Sequence, residues 1–254
     1  MRVLILALGL LPALTLAQAP AVAAPPPPER AEAAPPAPML ALRYDASIDP
    51  AACWVSEKLD GVRALWDGHR LRFRSGREIV APAWFLAALP PTALDGELWL
   101  GRRRFDELSG LIRREDPQDP GWREVRYMLF DQPGASGDFS TRLEGLRVIV
   151  AAADVPWLQA VAQQRVPDRA ALQRMLDEIV AGGGEGLMLH RADARWQPGR
   201  SDALLKLTPW LDAEARVVGY IPGKGRLQGR IGALQVEADD GRRFRIGSGF
   251  TDAT

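Results

Sequence analysis

Residues 54–80 read WVSEKLDGVRALWDGHRLRFRSGREIV. Short runs rich in β-branched and aromatic residues alternate here with Asp60-Gly61, Asp67-Gly68 and Ser75-Gly76. Such pairs reverse a chain tightly, because glycine tolerates backbone angles that other residues resist. The stretch therefore predicts a meander of short antiparallel strands, not helices. Working outward, LDGELWL (94–100) and VRYMLFD (125–131) predict two more strands. Arg169 to Ala181 places Leu172, Met175, Leu176 and Ile179 at helical spacing, and Gly182-Gly183-Gly184 stops that helix. GLMLHR (186–191) and ALLKL (203–207) predict strands again. After Pro209, RVVGYI, IGALQVEA and RRFRIGS are short strands between glycine-rich turns, which predicts a small β-barrel. The fold class is α+β, a larger sheet-and-helix domain followed by a smaller β domain.

The 254 residues carry 32 basic and 32 acidic side chains. Zero net charge excludes a uniformly basic nucleic-acid coat but not local basic patches. With 47% apolar and 25% charged residues the composition is that of a globular protein. A single cysteine, Cys53, excludes an intramolecular disulfide and a cysteine-based zinc site. Residues 1–23 have the form of a secretory signal: Arg2, an apolar run over 4–16, then Ala21-Val22-Ala23. The run is short for a membrane span, which needs about 20 residues. Residues 24–40 hold seven prolines and are expected to be an unfolded spacer, about 50 Å long when extended. The larger domain is expected over 41–210 and the smaller over 211–254.

Only three of the 32 basic residues are lysines: Lys58, Lys206 and Lys224. A position that keeps lysine amid so much arginine points to a need for a compact ammonium or a neutral amine. Lys58 ends a strand and precedes Leu59-Asp60-Gly61-Val62-Arg63. An amine acts as a nucleophile only when neutral, and nearby cations or a divalent metal favour that form. Arg63 offers a fork for a phosphate or a ribose hydroxyl. Glu97 and Glu185 lie on strand segments, where two carboxylates suit Mg²⁺ or a ribose. Phe130 offers a face for a purine. Lys206, within LLKL, needs solvent or an anion at its head.

EKLDGVR, FRSG, LDGELW, YMLFD, EGLMLHR and LLKLTPWLDAEA occur in this order. Together they resemble the collinear motifs of the covalent nucleotidyltransferases. The spacing is most similar to the minimal ATP-dependent DNA ligases of bacteria, in particular the exported type, over about residues 41–250. The resemblance implies a nucleotidyltransferase (adenylation) domain followed by an OB-type barrel whose last strands are missing. It implies ATP and Mg²⁺ or Mn²⁺ as cofactors, and nicked duplex DNA as partner of a periplasmic monomer free of the membrane once its signal is removed. By the same resemblance Lys58 carries AMP. Glu57, Arg63, Glu97, Phe130 and Lys206 bind the nucleotide, Glu97 and Glu185 hold metal, and Arg74 touches nucleic-acid phosphate. Lys224, Arg226 and Arg230, set among glycines, are basic candidates for the DNA backbone.

The family usually has a second lysine two residues after the Lys206 position, where this chain has Thr208. Two other functions are weighed against nick sealing. One is a different covalent nucleotidyltransferase, such as an RNA ligase. The other is a nick-binding protein impaired by Thr208 and the short barrel.

Overall fold

The computed structural model describes residues 37–209, 214–225 and 228–247. The expected leader, the spacer up to residue 36 and Arg226 lie outside the described residues.

The first sheet joins five strands in the order β1-β10-β9-β2-β8. These are β1 (Met39–Arg43), β2 (Cys53–Glu57), β8 (Gln164–Arg165), β9 (Leu187–Arg191) and β10 (Gly199–Leu207). The second sheet runs β4-β3-β5-β6-β7. It comprises β3 (Val62–Trp66), β4 (Leu71–Phe73), β5 (Leu94–Trp99), β6 (Arg126–Asp131) and β7 (Leu158–Ala160). Four α-helices are interspersed: α1 (Ala83–Leu86), α2 (Phe105–Arg113), α3 (Phe139–Ala153) and α4 (Arg169–Ala181). α3 and α4 start on Asp138 and Asp168, whose carboxylates accept from the backbone N–H groups of Thr141 and Ala171. Such caps satisfy donors that the first helical turn leaves open.

Side chains alternate across a strand, so each sheet has two distinct faces. In the first sheet Val55, Leu189 and Leu205 are in register and pack with Leu172 and Leu176 of α4. Cys53 is fully buried in that layer, as a small apolar residue. The opposite face carries the row Ser56, Met188, Lys206. In the second sheet Ala64, Trp66, Leu94, Leu98, Tyr127 and Leu129 enter a core with Phe85, Leu108 and Trp122. Arg63 and Glu97 are partners on its other face.

β1 begins inside the stretch expected to be spacer. It pairs in parallel with β10 and buries Met39, so the folded chain starts before residue 41. A lone Met-Leu pair after seven prolines gives no periodicity, and only the partner strand reveals it. α2 and α3, absent from the sequence expectation, are held by tertiary packing of Leu108, Leu111, Ile112, Leu143 and Leu146.

After residue 213 the described residues form a three-stranded antiparallel sheet, β11 (Ala215–Pro222), β12 (Ile231–Ala238) and β13 (Arg243–Ile246). Val217, Val236 and Phe244 share one row, and Tyr220, Leu234 and Ile246 another on the same face. Arg216, Glu237 and Arg243 form a row on the other face. The sheet is thus amphipathic, with Val236 buried and Tyr220 and Phe244 exposed.

Candidate active site

Lys58 follows β2, and its backbone N–H donates to the Gly186 carbonyl at 2.8 Å. That bond fixes the residue beside the loop that carries Glu185. The Lys58 ammonium donates to Glu185 Oε2 at 2.5 Å, with 24% of the lysine side chain exposed. The amine stands at a cavity of about 320 Å³. Ser56, Met188, His190, Leu204 and Lys206 line it from the first sheet, and Arg63, Asp95, Glu97, Phe130 and Asp131 from the second. Arg74, exposed on the turn after β4, reaches the same cavity. Residues far apart in sequence meet here because each occupies the face of its strand turned away from the apolar core.

Phe130 and Asp131 are consecutive, yet both line the cavity. The pairing of β5 with β6 slips between Asp95 and Gly96, which leaves Phe130 as the extra residue of a bulge. A bulge re-aims side chains in this way. Arg63 lies 5.3 Å from the centroid of the Phe130 ring.

Arg63 was expected to fork onto the nucleotide. In the structure it donates from Nε and Nη2 to the Asp95 carboxylate, at 3.0 and 2.6 Å, and from Nη2 to the Met39 carbonyl at 2.8 Å. It borders the cavity while tying β3, β5 and β1 together. Glu57 departs from expectation too. It is in register with Leu187, so alternation turns its side chain away from the Ser56–Met188 face. Its carboxylate meets Arg102, with Nε and Nη2 donating at 2.7 and 2.8 Å. Glu57 borders the cavity, but its carboxylate belongs to this ion pair.

Glu97 is a strongly perturbed acid of the site. Burial pushes its carboxyl up to about 8, although Arg63, Lys58 and the Gly61 N–H all favour the charged form. A carboxylate so short of compensation suits a cation or a hydroxyl donor. Glu185 is more exposed than Lys58 and reaches it from the loop after α4. Among the described residues no cluster of three or more His, Cys, Asp or Glu residues forms a metal centre.

Sequence reasoning missed the buried polar group behind the cavity residues Asp131 and His190. Arg142 of α3 donates to Asp131 at 2.7 and 3.2 Å and to the Ala194 carbonyl at 3.0 Å. His190 lies against this pair, stacked on Phe139 with ring centroids 3.6 Å apart. Burial pushes the His190 imidazole down to about 4, with Asp131 opposing and Arg142 adding to the shift, so it is neutral at pH 7. Met188 lies two residues before His190 on β9, in register with Ser56 and Lys206. The alternation in EGLMLHR carries the signal for both, but it becomes legible only once the register to Lys206 is known. Lys224 and Arg230 are exposed at the ends of the β11–β12 connection and do not line the cavity.

Comparison with known proteins identifies this arrangement. Residues 38–207 match the sequence profile of the ATP dependent DNA ligase domain, and residues 222–254 that of the DNA ligase OB-like domain. A DNA ligase of Haemophilus influenzae is 34% identical over 212 residues, covering 83% of this chain and 78% of that protein. A solved structure of a Lig E DNA ligase superposes with a TM-score of 0.81 at 40% identity, covering 85% of this chain and 86% of that one. The Chlorella virus DNA ligase-adenylate shares the fold, with a TM-score of 0.61 at 20% identity over 87% of this chain and 84% of that one.

Proposed function

The chain belongs to the ATP-dependent DNA ligase family, and from that membership we propose that Lys58 carries the adenylate and that nicked duplex DNA is the substrate. That it is a minimal ATP-dependent DNA ligase follows from the matched domains and relatives; the residue roles are our reading of the site. The observation that carries it is the Lys58 amine, in contact with Glu185, at the mouth of a cavity walled by Glu97, Phe130 and Lys206.

In the first step the Lys58 nitrogen attacks the α-phosphorus of ATP. A P–N bond forms, the bond to the β-phosphate oxygen breaks and pyrophosphate leaves. The ammonium must first lose a proton, and Glu185 Oε2 is the acceptor at hand. A 5′-phosphate oxygen then attacks the same phosphorus, which frees Lys58 and leaves AMP on the DNA end. Attack by the neighbouring 3′-OH on the 5′-phosphorus expels AMP and closes the strand. Phe130 and Met188 offer apolar surface for adenine, and Glu97 a carboxylate for the ribose. Lys206, exposed on the cavity face of β10, offers positive charge for the α-phosphate. Holding the reactants in line and neutralising charge supply most of the rate in phosphoryl transfer.

Glu97, on the wall of the main cavity, and Glu185, on the smaller hollow beside Lys58, would each offer a carboxylate to a divalent cation bound with the substrate phosphates. Mg²⁺ commonly binds through one or two carboxylates plus substrate phosphates, so the lack of a larger acidic cluster is no obstacle. Such an ion would supply charge neutralisation at the phosphates. Arg74, at the cavity mouth, and Lys224, Arg226 and Arg230 are proposed phosphate contacts to the duplex. Arg2, the apolar run and Ala21-Val22-Ala23 support export to the periplasm, where the mature chain acts as a monomer. Among the described residues no helix is long and apolar enough to cross a membrane.

Intact-mass analysis tests the central assignment. Incubation with ATP and Mg²⁺ is expected to add the mass of one adenylate, and Lys58→Ala to abolish it. Addition of nicked duplex DNA should discharge the adduct and seal the strand, whereas GTP should give none. An adduct that survives in Lys58→Ala would place the chemistry on another residue.

A further inference from the structure

We propose that Arg102 is a positioning residue for adenylyl transfer, clamping together the two segments that present Lys58 and Glu185. Lys58 and Glu185 are 127 positions apart in the chain. They come from the end of β2 and from the loop after α4, so neither segment alone fixes their contact. Arg102 stands in the turn after β5 and grips both. Its Nε and Nη2 donate to the two oxygens of Glu57 at 2.7 and 2.8 Å, and Glu57 immediately precedes Lys58. Its Nη1 donates to the Gly182 carbonyl at 3.2 Å, three residues before Glu185. A planar fork on a carboxylate holds direction as well as distance, which a single ammonium cannot do.

The glycines of the loop make room for the clamp. A Cβ at Gly182 would lie 2.3 Å from Arg102 Nη1, and one at Gly184 would lie 2.9 Å from Glu57 Oε1. Any larger residue at 182 would displace the guanidinium. Beside the clamp is a smaller hollow of about 140 Å³, lined by Glu57, Lys58, Arg102 and Glu185, so clamp and nucleophile share one wall. Arg102 is one-third exposed. Water therefore screens its contribution to global stability, while its directional hold on two loop ends persists.

This inference rests on Lys58 being the adenylated amine, so the experiment measures adenylation itself. Single-turnover formation of the adduct is followed across ATP concentrations for the wild type, Arg102→Ala, Arg102→Lys, Glu57→Gln, Gly182→Ala and the Arg102→Ala/Glu57→Gln pair. Thermal midpoints are recorded for each. Arg102→Ala and Gly182→Ala are expected to slow the saturated rate roughly 30- to 100-fold, the loss that an ångström of misplacement produces. Half-saturating ATP should stay within about threefold, because no nucleotide contact is removed. Arg102→Lys should recover part of the rate, and the double variant should be no slower than the slower single one. A wild-type rate in Arg102→Ala, a change confined to half-saturating ATP, or additive losses in the pair would each overturn the clamp. If Arg102→Ala fails to fold, Gly182→Ala and Glu57→Gln decide by the same criteria. Absence of adduct in the wild type would instead overturn the reading of Lys58.

Discussion

The buried Glu97 carboxylate, flanked by Arg63 and Lys58, is a charge that the free protein holds at some expense. Glu97 titrates near 8 instead of 4.5 because its surroundings exclude water more than its neighbouring cations compensate. The folded state thus holds the Glu97 proton more tightly than the unfolded chain does. Linkage gives the sign: this group's contribution is fully present below pH 4.5 and is lost as pH rises towards 8. Glu97→Gln should therefore melt at a higher temperature than the wild type at pH 8, and at the same temperature near pH 4, without ATP or metal. The same variant should fail to form the adduct. Thermal scans across that range test the point, and a pH-independent difference would mean that Glu97 is already compensated in the free enzyme. The scarcity of lysine made part of this site legible beforehand. Two of the three lysines, Lys58 and Lys206, line the cavity. The committed hydrogen bonds of Arg63 and Glu57 were not legible, because a carboxylate's partner is set by register and not by its neighbours in sequence.

At the level of strands and turns, close approach explains the glycine of Lys58-Leu59-Asp60-Gly61. A Cβ on Gly61 would stand 2.2 Å from the Leu98 carbonyl oxygen and 2.8 Å from Glu97 Cγ. Backbone cannot yield as a flexible side chain can, so Gly61→Ala should push β3 from β5 and carry Glu97 with it. A loss of about 2–3 kcal/mol in unfolding free energy is expected, together with slowed adenylation. Gly76→Ala is the comparison: its φ is +89° but nothing lies within 4 Å, so the cost should be about 1 kcal/mol of backbone strain with no effect on the adduct. Equal losses in the two variants, measured by denaturant titration, would show that conformation and not contact governs Gly61. The strands on either side of these turns were readable from alternation, and α4 from its spacing and glycine stop. The bulge at Phe130 was not, since slipping one residue depends on the facing strand. β1 was hidden for the same reason.

For the molecule as a whole, the cavity exists because two sheets face each other with polar surfaces, and something must hold those surfaces in place. The buried group of Asp131, Arg142 and His190 does so. Asp131 belongs to the second sheet, His190 to the first, and Arg142 on α3 also binds the Ala194 carbonyl. Arg142→Met would leave Asp131 buried without its cation, a loss of about 3–5 kcal/mol. Adding Asp131→Leu should return most of it, because the uncompensated charge is then gone. Denaturant midpoints of the single and double variants decide, and a double variant as weak as the single would mean that packing and not charge joins the sheets.

The same division of labour extends to DNA. A chain of zero net charge can grip a polyanion only through local clusters, so if the exposed Lys224 and Arg230 contact DNA as proposed, they act through a few phosphates. Each phosphate contact contributes about 0.9 to the slope of log affinity against log salt. Lys224→Ala combined with Arg230→Ala should thus flatten that slope by nearly two and weaken nicked and intact duplex alike, since phosphates carry no sequence or nick information. Fluorescence anisotropy across a salt series measures both. An unchanged slope would move the duplex contact to Arg74 and the arginines of the larger domain, and a loss confined to nicked DNA would make the connection a reader of the break.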